Sequence, residues 1–406
     1  MMNNKQDLCK RLCTILFALC AIGCKSHKNI TMKMTIETLA TAGLEGNLSK
    51  GVSAAYAAVL GDQLIVAGGC NFPDKLGFEG GKKVFYNDIV RYDAQHKRWE
   101  KVGELPEAAA YGVSVQLAED TALWVGGTGD KGSMSSCYKV HLGKTNGKEG
   151  QVILEAFPSL PVTLDNFAGV SVGSKVFVVG GAADGKSSNA LYTINPDKDT
   201  AWRHLADFTS VARVQPVLTA GYHKGRKVLY LLGGFFWGGD TDKPEMATEV
   251  LCYDIEAGTW SVVGETKDPE SGEYFSLTGA TARQDGRYIA CFGGVNHDVF
   301  IKAITDLWEL AHNKQLSEEE RKAKTQAYMQ EYMTRKTEDY RFNKMLRLFD
   351  TEKSIWHNAG EYPELARAGA TLIEGADECF YLIQGELRPG VRSNQTFRCK
   401  MENKER

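Results

Sequence analysis

The sequence predicts an all-β fold, a six-bladed β-propeller, on three observations. Glycine is abundant at 42 residues while proline is sparse at 10, a balance that suits a turn-rich β protein. Six apolar runs end in a glycine turn, and several of these turns are followed by a Tyr-Asp segment and then a tryptophan. Repetition at this period is the signature of a stacked or ring-like architecture.

The runs are "LIVAGG" ending at Gly69, "LWVGG" at Gly127, "VFVVGG" at Gly181, "LYLLGG" at Gly234, "IACFGG" at Gly294 and "FYLIQG" at Gly385. Their spacings are 58, 54, 53, 60 and 91 residues. Downstream lie "IVRYDAQHKRW", "LCYDIEAGTW", "LRLFDTEKSIW" and the looser "LYTINPDKDTAW"; upstream lie further strand-like segments such as "GVSVQL" and "FAGVSVG". Each unit therefore reads as four short strands, with glycine where backbones crowd and turn tightly. The unit resembles the Kelch motif. A single four-stranded blade cannot bury both faces, so blades stack until a ring closes.

After the sixth turn only one further strand remains, "NQTFRCKM", and the chain ends. The strand that would complete this blade is expected at the other end, in "ITMKMTIETLA". The long fifth interval carries a helical insertion, placed at 303–345 within a propeller spanning 30–402. Ser317 and Glu320 form a capping-box pattern at the start of one of its helices.

Residues 1–23 read as a signal peptide: Lys5, Lys10 and Arg11, then "LCTILFALCAIG", an apolar stretch short for a membrane span. Ala21-Ile22-Gly23-Cys24 resembles a lipobox with Cys24 as the lipid acceptor; an ordinary secretory signal cut nearby is the alternative. The expectation is a periplasmic lipoprotein of a Gram-negative bacterium, touching membrane only through that anchor. A net charge of −3 gives no basic surface for nucleic acid. None of Cys70, Cys137, Cys252, Cys291, Cys379 and Cys399 lies in a CxxC pair, which argues against a zinc site. Cys379 and Cys399 fall on neighbouring strands, where either a disulfide or two buried thiols is compatible with the sequence.

In blades of alternating strands, the residues after each glycine turn share one mouth of the axial channel with those leading into each first strand. The position after the turn reads Cys70, Thr128, Ala182, Phe235, Val295, Glu386; only the last is a carboxylic acid. Tyr111, Asn166, Arg213, Gln215 and Arg367 lead into first strands, and Asn71, Asn296 and His297 lie beside the turns. The helical insertion leaves from the same mouth and could cover it. Glu386 belongs to "GELRPGVR", where Arg392 returns six residues later behind Arg388-Pro389-Gly390. A carboxylate there suits acid–base work on a polar ligand. Arg392 could grip a substrate carboxylate or bridge to Glu386 and tie the turn.

These segments resemble a known family. "GGVNHDVF", "EDYRFNKMLRLFD", "GELRPGVRSNQTF", "VGELPEAAAYGVSV" and "VFYNDIVRYD" are similar to segments of N-acetylneuraminate epimerases, the bacterial sialic acid mutarotases. The order is rotated, so the chain resembles a cyclically permuted branch. The resemblance implies an isomerase that interconverts the α and β anomers of N-acetylneuraminic acid without metal or organic cofactor. It maps the catalytic pair onto Glu386 and Arg392, and it implies substrate contacts from Asn296, Arg213 and Tyr111. Asn166 joins them from its place at the mouth. Departures from the family pattern are Ala109 for an arginine, Arg388 for a lysine and His297 for a glutamine; Arg388 and His297 stand as substrate-binding candidates that could alter which sugar acid is held.

The rival readings are a non-catalytic Kelch propeller binding a carbohydrate or protein partner, and a copper oxidase on the same fold. The second needs clustered His and Tyr ligands, whereas the eight histidines are scattered. Within the family, a different sugar acid is the remaining alternative.

Overall fold

The computed structural model describes residues 32–145 and 148–403; Cys24 and the preceding segment lie outside them. Among the described residues, six four-stranded antiparallel sheets contain most of the strand residues. The first runs through Tyr56–Leu60, Gln63–Ala67, Asp88–Asp93 and Arg98–Glu104, and the next four repeat this meander in chain order. The last comprises Thr371–Glu374, Cys379–Ile383 and Thr396–Asn403, with Met32–Thr38 from the start of the chain as its outer strand. That outer pairing runs in register from Thr38 opposite Phe397 to Met32 opposite Asn403.

Strands such as "KVFVV" and "RKVLYLL" are apolar on successive residues rather than alternating, so both faces of each sheet must be covered. Six apolar seams cover them. Val113, Val125 and Leu123 of the second sheet pack on Val176, Val178 and Ile194 of the third. Equivalent seams join the other consecutive sheets. The sixth places Ile373 and Ile383 of the last sheet against Ala57, Val66 and Trp99 of the first.

The recurrent tryptophans fasten these seams. The indole of Trp99 donates to Ala40 O at 3.0 Å, Trp202 to Pro158 O at 2.9 Å, and Trp260 and Trp356 to Ala206 O and Glu265 O, both at 2.8 Å. In each case the acceptor lies just beyond, or at the end of, the outer strand of the preceding sheet. A large apolar body fills the seam while its one polar atom finds a backbone carbonyl.

The glycine pairs have a steric cause. At Gly293, φ is +74° and a Cβ would sit 2.4 Å from Arg367 O, so no side chain fits. In the sixth turn Gln384 takes this place at φ 52°. Its Oε1 accepts from the Val52 amide leading into the first sheet at 2.7 Å, a bond between sheets at a position of left-handed strain.

One feature of the fold bears directly on the mouth. Ala54, Tyr111, Asn166, Gln215, Gly279 and Gly369, one at the head of each sheet, are all left-handed. Each donates its amide to the carbonyl of the one before it, and Ala54 donates to Gly369, closing a cycle of six bonds of 2.7–3.2 Å. Beyond this ring a channel of about 480 Å³ runs between the first strands. Glu374 and Arg283, 3.0 Å apart, lie along its wall.

Two helices, α1 (His297–His312) and α2 (Glu318–Met333), leave between the second and third strands of the fifth sheet. The first begins six residues earlier than 303, because Asn296 Oδ1 accepts from Val299 N at 3.1 Å and caps it. The second opens on the expected box: Ser317 Oγ accepts from Glu320 N, and Glu320 Oε2 from Ser317 N.

Cys379 pairs with Lys400 and Cys399 with Phe380. The two thiols therefore point to opposite faces of their sheet, and both are buried and free.

Acid sensitivity has a local source in Asp268, 2.7 Å from Arg347, which also stacks on Phe275. Burial would raise the Asp268 carboxyl, but Arg347 and the amides of Ser271 and Glu270 outweigh it and hold it well below the usual range. A depressed folded pKa contributes stability that is complete above the unfolded value, about 3.9, and is lost as pH falls toward the folded one. Asp268→Asn should therefore lower stability at neutral pH and flatten its decline below about pH 4, as read from urea midpoints across pH. Parallel acid limbs in the two proteins would refute this.

Candidate active site

Each residue after a glycine turn lies opposite a residue leading into the first strand of its own sheet. Cys70 bridges Ser53, Thr128 bridges Ala110, Phe235 bridges Val214 and Glu386 bridges Ala368. The shared mouth is therefore built from backbone pairing just above the ring of six hydrogen bonds.

Over it lie the helices. Phe300, Ile301 and Ile304 of α1 pack on Ala182, Val214, Phe235 and Met246 at the third and fourth sheets. On the other side Tyr332, Met333 and Ala303 pack with Tyr340, Leu76 and Phe78. Together they roof a cavity of about 270 Å³. Its roof is mainly apolar, with Phe300, Leu307, Met329 and Tyr332; its floor is polar, with Glu386, Tyr111, Gln215, Ser53 and Asn296. An apolar pocket with a few convergent polar groups is the usual form of a small-molecule site.

Glu386 is fixed by its own turn. The strands Glu386–Arg388 and Val391–Arg392 pair so that Glu386 lies opposite Arg392. Both contacts fall on one oxygen: Oε1 accepts from Arg392 Nη1 at 2.7 Å and from the Gly390 amide at 2.6 Å. Among the described residues Oε2 accepts no hydrogen bond. The turn thus tethers the carboxylate by one oxygen and leaves the other for the cavity.

Arg392 is the counterpart. Its side chain is only 3% exposed; Nε donates to Ser53 Oγ at 3.1 Å, and the guanidinium lies 5.5 Å from the centre of the Phe72 ring. Burial would lower its pKa, but Glu386, with Tyr111 and Cys70, outweighs this and holds it above the ordinary value. Of the two roles open to Arg392, the bridge to Glu386 is the one observed. The Tyr111 phenol is pushed up, first by burial and then by Cys70 and Glu386, against a lowering by Arg392. It remains a neutral hydroxyl.

Other expected contacts are placed elsewhere. Arg213 does not reach the cavity: it is fully buried and donates to Val211 O, Gly233 O, Glu249 O and Ser210 Oγ. Burial pulls it down to about 10. Arg367, in the same register, likewise serves the carbonyls of Glu364, Gln384 and Gln395. Both clamp strands because their buried donors must be satisfied. Arg388 donates to Met333 O at 2.6 Å, at the end of α2, and ties the roof to the turn. His297 contacts Asp298 at 2.8 Å and stacks on Tyr274, outside the cavity lining. Asn166 lines the channel beyond the ring, bonded to Asp165 Oδ1 and Gln215 Nε2. Asn296 and Tyr111 do line the cavity.

Sequence reasoning missed Ser53, Tyr332 and Lys83. The Lys83 ammonium lies 3.2 Å from the Tyr111 hydroxyl. Ser53 holds the repeat position of Ala110, Val214 and Ala368, a position the sequence reading passed over; Tyr332 and Lys83 fall in no repeat position and are brought in by the fold.

Comparison with known proteins places this geometry in context. A family model described as N-acetylneuraminate epimerase matches residues 157–406. The N-acetylneuraminate epimerase of Pasteurella multocida (strain Pm70) is 28% identical over 242 residues, which is 59% of this chain and 57% of that protein. The N-acetylneuraminate epimerase of Salmonella typhimurium (strain LT2) is 28% identical over 271 residues, 66% and 63% respectively. A solved structure of YjhT aligns at a TM-score of 0.49 and 25% identity over 60% of this chain and 64% of that one. The chain thus spans about three-fifths of the length of the curated relatives it matches.

Proposed function

Because the chain belongs to the N-acetylneuraminate epimerase family, we propose that it is a mutarotase that interconverts the anomers of N-acetylneuraminic acid at the roofed cavity. The carrying observation is the carboxylate of Glu386, held through one oxygen by Arg392 and Gly390 with the other oxygen unengaged beside the cavity.

The chemistry is redox-neutral. A base takes the proton of the anomeric hydroxyl, the bond from the anomeric carbon to the ring oxygen breaks, and the ring oxygen gains a proton. Rotation in the open keto acid and the reverse steps give the other anomer. Glu386 Oε2 is the base. The neutral hydroxyl of Tyr111 or a water supplies the proton that the ring oxygen gains, and takes it back on closure. Arg392 positions the carboxylate rather than gripping the substrate. Ring opening within a cavity roofed by apolar side chains limits competition from bulk water.

The fold reading that goes with this function is a six-bladed Kelch-type propeller, the helices inserted in the fifth blade and the N-terminal strand completing the last. The six seams and the closed cycle of six amide bonds support it. A continuous family match beginning at residue 157 is consistent with rotated blade order. Export and lipidation at Cys24 complete the proposal; palmitate labelling of the cell-expressed chain should be lost in Cys24→Ala.

The test is anomer exchange followed by NMR on the purified protein, with N-acetylneuraminic acid and a panel of other sugar acids. Exchange faster than buffer is expected for at least one. No acceleration for any would end the enzyme reading.

A further inference from the structure

We propose that Lys83 holds the carboxylate of the substrate and makes the site selective for sugar acids over their neutral counterparts. This rests on the mutarotase reading and adds to it the residue that recognises the acid group.

The need arises from the state of Arg392. Its Nη1 is taken by Glu386 and its Nε by Ser53, and its side chain is almost wholly buried. The two charges at the centre of the site cancel, which leaves no net attraction for an anionic ligand. A second cation, close to the floor and not already paired, would supply that attraction.

Lys83 meets that description. It directly precedes the short strand Val84–Phe85, which pairs with Cys70–Asn71. Its base is therefore anchored against the first turn of the mouth. Its ammonium lies 3.2 Å from the Tyr111 hydroxyl, 5.0 Å from the centre of the Tyr111 ring and 5.9 Å from that of Phe72. Phe72 in turn faces Arg392, so the two aromatic rings hold Lys83 at the edge of the catalytic pair. Among the described residues Lys83 has no carboxylate partner. An ammonium has three donors; one reaches Tyr111 and the others remain for a ligand. Being exposed, it escapes the desolvation cost of a buried cation. Arg388, also near the turn, donates to the Met333 carbonyl, and Arg335, over the Tyr332 ring, is paired with Glu331.

The experiment compares N-acetylneuraminic acid with its methyl ester, using NMR anomer exchange on the full chain in wild-type, Lys83→Met, Lys83→Arg and Arg388→Met proteins. Wild type should favour the acid over the ester by roughly ten- to a hundred-fold in kcat/KM, the range for a hydrogen bond to a charged group. Lys83→Met should lose that preference, the kcat/KM of the acid falling toward that of the ester. Lys83→Arg should keep part of it, and Arg388→Met nearly all. An acid-to-ester ratio unchanged in Lys83→Met, or one abolished only in Arg388→Met, overturns the assignment while the mutarotase reading stands. A wild type that accelerates neither compound sinks both.

Discussion

Glu386→Gln is expected to reduce the enzymatic component of anomer exchange by about 10²–10⁴-fold, the usual contribution of one acid–base group. The substitution is chosen because glutamine has nearly the same shape. Its amide oxygen can still accept from Arg392 and Gly390, the two partners that hold Oε1. The change falls on the other atom, where an amide nitrogen, which cannot take a proton, replaces the carboxylate oxygen that accepts no hydrogen bond among the described residues. Arg392 loses its counter-charge but retains Ser53 and Phe72, so the fold should survive and circular dichroism should be unchanged. A variant that exchanges anomers within a few-fold of wild type would remove Glu386 from the role of base. Because the uncatalysed reaction proceeds on its own, the quantity to compare is the rate above buffer at several protein concentrations.

Trp99→Ala should cost about 3–5 kcal/mol of stability, the range for truncating a large buried aromatic residue. Trp99 is 2% exposed and lies in the seam between the first and last sheets. It fastens the chain just beyond the N-terminal strand twice: its indole donates to Ala40 O and its own amide to Ala42 O. If that seam joins the ends of a closed ring, opening it exposes two sheet faces at once. Trp99→Phe isolates the smaller part. It keeps most of the apolar body, leaves the Ala40 carbonyl without its donor, and should cost about 1–3 kcal/mol. Urea denaturation of the three proteins measures both. A Trp99→Ala midpoint close to wild type would mean that this seam contributes little and that the ends are not held as the contacts indicate.

The extent to which the site could be read from the chain follows the range of each interaction. Glu386 and Arg392 are six residues apart in one hairpin, so the glycine turn and their spacing suffice to bring them together. Which role Arg392 takes was open, because pairing and substrate binding place the same residue types at the same spacing. Arg213 was drawn toward the mouth by its position ahead of a first strand. Its direction depends on which buried carbonyls lie within reach, and those belong to Gly233 and Glu249, a strand or more away. Arg388 is a ligand candidate in the sequence as the replacement of a family lysine in the turn, and nothing local marks the end of α2 as its acceptor. Lys83 and Tyr332 sit in the loop of the first sheet and in the inserted helix, far apart in sequence and without a repeat position to flag them.

The sequence by itself determined the all-β class, the glycine turns, the tryptophan in several repeats, the helix starting after Ser317 and the one acid at the mouth. These arise from local backbone sterics, capping and short-range periodicity, which each segment expresses within its own few residues. Only the tertiary structure decided the cycle of amide bonds between sheets, the apolar roof over Glu386, the pairing that commits Arg392 and the approach of Lys83 to Tyr111. Those depend on how six seams pack at once, and buried donors and acceptors take whatever partners that packing brings within about 3 Å.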